Sequence, residues 1–346
     1  MSLTRRIIRG YWFLGAMGGM IALSHFAGAG GRFLDEHGAS KGAIIGLFLL
    51  SGIALSLRSV NRIVSNWRVH TAIQATVFVV IPATVYFTSF WMEDGPLRYG
   101  VLLLAVLPTT IGSSSAFTVA AGGNGLLAMV NAAGSNMMGI VLSPLLLGLM
   151  LRASGPAGVG GMGQAGRTML SMCWQVLAPF AVGQFLAMRF PELREKLRGM
   201  QSILAQGLVL LLSYCAFSKS IDELAGQIGP MWKTFAYLAA VQAVFTVVSV
   251  QAARALRFDA EDRPALTFCA TQKTMAFGIP IAYSFFKGSD APMAVIIAPL
   301  VFYYLFQMLT GSLAVQFYLR RNVDVRHGPR SHEDSKDDGT TSRRHS

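Results

Sequence analysis

"TFCATQKTMAFGIP", residues Thr267 to Pro280, reads as part of a membrane span, yet it holds Lys273 among hydroxyl and amide neighbours and ends in Gly-Ile-Pro. A charged residue at mid-bilayer costs about 2.5 to 3.5 kcal/mol on insertion scales, so it persists where it lines a cavity or finds a partner. All seventeen acidic residues lie outside the predicted spans, so no carboxylate within them answers Lys273. Two partners remain: backbone carbonyls at the negative end of an interrupted helix, or an anionic solute. Reaching back to the interface is the third possibility, and a lysine roughly nine residues into its span is badly placed for it.

The surrounding chain explains why this stretch must be read against lipid. Of 346 residues, 53% are hydrophobic and only 13% charged, and the mean hydropathy is +0.49. That excludes an ordinary soluble domain and points to an all-α polytopic membrane protein, because a helix satisfies its own backbone groups in hydrocarbon. A span needs roughly 20 apolar residues. Runs of that kind predict ten spans: 11–27, 42–57, 70–90, 99–119, 125–150, 169–188, 202–217, 232–252, 264–286 and 293–319. The N-terminal run from Thr4 has the basic start and small-residue end of a secretory or twin-arginine signal; it is read here as the first span. Cys173, Cys215 and Cys269 lack ligand spacing and read as small packing residues. The six histidines show no paired spacing and receive no role.

Basic residues set the orientation. Thirteen Lys and Arg fall in the connections on one side, among them Arg5, Arg58, Arg194 and Arg257, against eight on the other, and seven more follow Leu319. The richer side is cytoplasmic by the positive-inside rule, which puts both termini there and makes the plasma (inner) membrane the expected location. Residues 320–346 are polar and mixed in charge, a disordered cytoplasmic tail. The net charge of +12 thus reads as topology and attraction to anionic lipid; nucleic acid is not expected as a partner.

The Gly-rich run "SGPAGVGGMGQAG" (Ser154 to Gly166) splits the transmembrane domain, 1–319, into two five-span halves, about 11–150 and about 169–319. An odd number of spans makes the second half inverted, as in many secondary transporters. "AIQATVFVV" from Ala72 resembles "AVQAVFTVV" from Ala240, which pairs Gln74 with Gln242. Each of those amides either faces a solute or bonds across to another helix. Spans four and nine are interrupted alike, by "PTTIGSSSAFTVAAGGN" (Pro108 to Asn124) and by "CATQKTMAFGIP". Unwound backbone in a bilayer needs protein, water or solute as partner, so paired breaks mark a solute site. The candidate substrate- or ion-binding residues are Ser113, Ser114, Ser115, Asn131, Ser135, Asn136, Thr271, Gln272, Lys273 and Thr274, with Gln74 and Gln242. Helix packing through small residues is the competing account of the serine triplet.

"AAGGNGLLAMVNAAGSNMMGIVLSPLLL", "FCATQKTMAFGIP" and the run from Gln74 to Thr84 resemble segments of the bile acid:sodium symporter family, in its branch around sodium/bile acid cotransporter 7 and the bacterial proteins like it. The resemblance takes in about residues 11 to 319. It implies two inverted five-helix repeats, a panel and a core domain, and discontinuous helices 4 and 9 crossing at the midplane. In sodium-coupled members a ninth-helix glutamate, with polar groups of the fourth and fifth helices, holds the ion; matching on Gln272 puts Phe268 at that position. A sodium site without its carboxylate and with an ammonium nearby is electrostatically poor, so sodium coupling and bile acids are not expected to carry over.

The expected function is secondary active transport of a small organic anion by alternating access, with Lys273 standing in for a cation or cycling its own proton. No cofactor is expected beyond a coupling ion, Na+ or H+. The alternative implied by the branch is a membrane regulator of calcium homeostasis that moves no organic solute. No Ser/His/Asp set, metal motif or nucleotide loop supports an enzyme.

Overall fold

Lipid supplies no hydrogen bonds, and the chain answers with helices throughout. The computed structural model describes residues 3–54, 67–93, 95–154, 162–197, 200–226, 228–286 and 291–326. Fourteen helices run through them: α1 (Leu3–Phe26), α2 (Gly28–Glu36), α3 (Ala39–Ala54), α4 (Trp67–Thr88), α5 (Pro96–Ala105), α6 (Ile111–Ala120), α7 (Gly125–Ser154), α8 (Met162–Arg189), α9 (Pro191–Leu197), α10 (Gln201–Gly226), α11 (Ile228–Ala255), α12 (Arg263–Thr271), α13 (Met275–Phe286) and α14 (Met293–Arg326). Among the described residues the one extended contact is an isolated antiparallel bridge between Thr109 and Lys273.

Four stretches, Trp67–Thr88, Gly125–Leu151, Met231–Ala255 and Met293–Arg320, are long and apolar enough to cross a membrane; Ala39–Ile53, Pro96–Ala105, Ile203–Lys219 and Met275–Phe286 are apolar but shorter. The protein is therefore an integral, multi-pass membrane protein. Phe87, Val247, Leu309 and Leu313 stand exposed on the long helices, an arrangement that suits lipid and not water. Trp67, Trp91 and Trp232 are exposed at or near helix ends.

Several helices outrun the apolar runs that predicted them: α1 begins at Leu3 and not at residue 11, and α10 continues to Gly226, past residue 217. Helix α14 runs on to Arg326, past the apolar run ending at Leu319, because charged residues at a helix end can continue it beyond the hydrocarbon. Helix α8 begins at Met162, inside the Gly-rich link, of which residues 155–161 lie outside the described ones. The connection bearing Arg58 and Arg62, Lys287, the tail from residue 327 and the side chain of Cys173 also lie outside them.

Close packing of helices depends on small residues. Helix α3 meets α8 where Gly52 faces Gly183: a Cβ on Gly52 would sit 2.2 Å from Phe180 O, and one on Gly183 would sit 2.2 Å from Leu49 O. Only glycine allows that approach. Helix α1 packs on α10, α5 on α14, and α11 on both α12 and α14. These contacts bring α5, α6, α12 and α13, the pieces of the two broken spans, together beside α4, α7 and α14.

Candidate functional site: the crossing of two broken helices

Spans four and nine are each interrupted where the sequence changes from aliphatic to Pro, Thr and Gln. Helix α5 ends at Ala105 and α6 starts at Ile111; α12 ends at Thr271 and α13 starts at Met275. Between them the two extended segments pair: Thr110 N donates to Gln272 O at 3.0 Å and Thr274 N to Pro108 O at 3.1 Å, flanking the Thr109–Lys273 pair.

The outward-facing backbone groups of that central pair need partners too, and side chains act as surrogate strands. On one flank Thr109 N donates to Ser135 Oγ (3.2 Å) and Asn136 Nδ2 donates to Thr109 O (2.7 Å), both from α7. On the other, Lys273 N donates to Gln307 Oε1 (2.7 Å) and Gln307 Nε2 donates to Lys273 O (3.1 Å), from α14. Unwound backbone in a membrane is thus satisfied by protein, as lipid requires. Gln307 escaped the sequence reading. The test that singled out Gln74 and Gln242, an amide inside an apolar span, applies to it equally.

Alternation along an extended segment sends Lys273 and Thr109 to one face and Gln272, Thr274 and Thr110 to the other. On the first face Thr109 Oγ1 donates to Cys269 O. Lys273, 2% exposed, places its ammonium 2.8 Å from Leu107 O, 3.4 Å from Ala105 O and 3.4 Å from Val77 O. Leu107 and Ala105 are at the C-terminal end of α5, where the helix dipole is negative. Val77 is free for a different reason: α4 widens into a π-helical turn at Thr76–Val80, in which Ile81 N–H bonds Thr76 O. In that register the group to answer Val77 O would be the N–H of residue 82, and Pro82 has none. Of the two partners open to Lys273, the structure supplies backbone carbonyls.

On the second face Gln272 joins the elements. Ser113 Oγ donates to its Oε1 (3.1 Å), and its Nε2 donates to Gln307 O (2.9 Å). Ser114 and Ser115 turn back on their own helix, to Thr110 O and Ile111 O, with Ser114 also lying against Cys269 of α12. Thr271 Oγ1 likewise donates to Thr267 O, while its carbonyl lies 3.1 Å from Tyr303 OH. Thr274 and Thr110 are half-buried, and their hydroxyls have no partner among the described residues.

The two paired glutamines do bond across helices. Gln74 Nε2 donates to Asn131 O on α7 (3.1 Å); Gln242 Nε2 donates to Thr310 Oγ1 on α14 (2.8 Å) and its Oε1 accepts from Tyr303. Asn131 is wholly engaged: Nδ2 donates to Leu127 O and Oδ1 faces His70 Nδ1, both at 2.9 Å. Tyr303 and His70, like Gln307, carried no role in the sequence reading, since their partners lie on other helices. No group of three or more metal-ligating side chains occurs among the described residues.

Comparison with known proteins places this architecture. Residues 11–320 match the profile of the SBF-like CPA transporter family. The chain is 30% identical to "Putative symporter YfeH" of Escherichia coli (strain K12), across 88% of its length and 92% of that protein. It is 24% identical to "Solute carrier RCH1" of Candida albicans (strain SC5314 / ATCC MYA-2876), across 89% and 88%, and 24% identical to "Sodium/bile acid cotransporter 7" of Mus musculus, across 83% and 84%. With the family profile matched from the first span through the last, this chain belongs to the SBF-like CPA transporter family, and it is a transporter rather than an enzyme.

Proposed function

We propose that this protein is a secondary active transporter that moves a small organic anion by alternating access, and that it does so without sodium. The observation that carries the reading is the Lys273 ammonium lodged among the carbonyls of Leu107, Ala105 and Val77 where the two broken helices cross. Carbonyl oxygens converging on one point are what a bound monovalent cation requires, and here a tethered cation occupies them. Phe268, the residue matched to the sodium-binding glutamate, is fully buried against Phe117 and Tyr318. A sodium ion about 4 Å from the ammonium would be repelled by about 4 kcal/mol at an effective dielectric of 20.

An anion, by contrast, finds positive potential. Helices α6 and α13 both start at the crossing, with their free N–H groups and positive dipole ends there. Thr110, the N-cap of α6, makes no side-chain cap, and Ile111 and Gly112 are exposed. A Cβ on Gly112 would meet no atom within 4 Å, so a solute has room to approach. Thr110 and Thr274 stand around that start with hydroxyls open to donate, while Ser113 gives its hydrogen to Gln272 and Asn136 gives both of its own to Thr109 O and Ala132 O. In this reading α1, α3, α8 and α10 form the panel, the remaining span helices form the core, and the core carries the site from one side of the plasma membrane to the other. Both termini are cytoplasmic and the coupling ion, where there is one, is a proton.

The test is thermal stability of the purified protein across a panel of organic anions, each in sodium and in potassium, for wild type and Lys273→Ala, followed by uptake of any stabilising anion in proteoliposomes. Ligand that binds the native state raises stability by mass action. An anion that stabilises and is taken up equally in both salts, and that fails with Lys273→Ala, supports the proposal. Stabilisation by sodium alone would sink it.

A further inference from the structure

His70 lies one turn inside α4 from Trp67 and takes no part in the crossing. Its side chain is buried, 9% exposed, beside an apolar cluster that includes Val69, Ile73, Leu127, Phe258 and Leu266. The amide of Asn131 fixes the state of the ring. Because Asn131 Nδ2 donates to Leu127 O, its Oδ1 is the atom 2.9 Å from His70 Nδ1. An amide oxygen only accepts, so Nδ1 carries a hydrogen, and Nε2 is the ring atom left to take up or release a proton. Nε2 has no partner among the described residues, nor does any described carboxylate pair with the ring. Asn131 is held a second time by Gln74, whose Nε2 donates to its carbonyl. One turn along the same face, Gln74 Oε1 is buried without a partner among the described residues, an acceptor for an added donor.

Charged and titratable groups on the elements packed here are otherwise engaged or sited in the loop before α12, and Lys273 reaches α4 two turns beyond His70, at Val77 O. Arg263 Nε donates to Phe258 O, Cys269 Sγ to Ala128 O, Arg254 lies over Phe317, and Asp262 accepts from Asn124. Arg257, Asp259 and Glu261 complete the loop, and Arg68 is exposed on α4 itself. An ionisable side chain inside a membrane protein with one nitrogen pinned and the other open has the geometry of a proton acceptor.

We propose that His70 is a proton-binding site, with Nε2 the atom that takes the proton and Asn131 the acceptor that holds the ring. The proton comes from water and returns to it. If the chain is the transporter proposed above, this is where a coupling proton binds, but the site itself needs no anion.

The test reads the ring directly. Full-length protein labelled with 15N-histidine is titrated by NMR in detergent from about pH 5 to about pH 8. His70→Gln, or His70→Asn should that variant not fold, identifies the signal as the one that disappears. The expected result is an Nδ1–H ring at the alkaline end that becomes doubly protonated as pH falls. In Asn131→Asp a carboxylate takes the place of the amide beside Nδ1, and the midpoint is displaced. A ring that stays neutral throughout, or one that carries its hydrogen on Nε2, overturns the proposal, and an unmoved midpoint in Asn131→Asp overturns the role of Asn131. No flux is measured, so failure here leaves anion transport standing, and a titrating His70 in a protein inert to every anion sinks that reading alone.

Discussion

Lys273 is held by backbone atoms from helices distant in the chain, and its replacement tests them. Lys273→Ala leaves three carbonyls without a cation, and unsatisfied buried groups cost about 1–3 kcal/mol each, so the variant should lose several degrees in Tm. Methylammonium, a free copy of the missing group, should restore stability to Lys273→Ala and leave wild type unmoved; equal responses in a thermal-shift assay would mean that the carbonyls do not form a cation cage. Gln307→Leu removes both bonds to the Lys273 backbone and should cost about 2–4 kcal/mol in denaturant unfolding, whereas Gln307→Glu keeps the acceptor and should cost less. Identical losses would show that the amide merely fills space. The anomaly of Lys273 was legible in one short stretch of sequence. Its partners were not, since Val77 and Leu107 precede it by well over a hundred residues and present only carbonyls, which every residue has.

At the level of the element, interruptions are what the sequence announces best, because Pro, Gly and hydroxyl residues in an apolar run conflict with a continuous helix. The second break, 272–274, falls inside the stretch that reading marked, whereas the first, 106–110, meets only the Pro-Thr-Thr start of its own and the serine triplet after it is helical. The π turn of α4 was less visible: a proline in an apolar helix signals a bend, but not that the freed carbonyl belongs to Val77 and points to a lysine. Pro82→Ala restores an N–H and lets the turn relax toward α-helix. Hydrogen exchange should slow around residues 77–82, while transport falls by about tenfold as Lys273 loses one carbonyl, a drop of roughly 1.4 kcal/mol. Unchanged flux would mean that this carbonyl is dispensable. Gly52→Leu tests a different joint. Its Cβ would collide with Phe180 O, so the α3–α8 contact should weaken by about 1–3 kcal/mol or more, read as a lower Tm with Lys273 and its surroundings intact.

For the whole molecule, family membership and the broken spans make a transporter, and the tail bears on the alternative of a calcium-homeostasis regulator. A chain ending at residue 326 should keep its anion flux in proteoliposomes, whereas a regulator acting through a docking segment would lose its effect. What the sequence by itself determined is the membrane environment, the helical class and the position of the two interruptions. These follow from hydropathy and backbone hydrogen bonding, which are demands that lipid makes on each segment separately. Only the tertiary structure decided which polar residues meet. It turned Ser135, Asn136 and Gln307 toward unwound backbone, gave Asn131 to His70, and put Lys273 among carbonyls. The physical reason is that a buried polar group must be satisfied by whichever helix lies beside it, and that neighbour is fixed by packing across the bundle, not by distance along the chain.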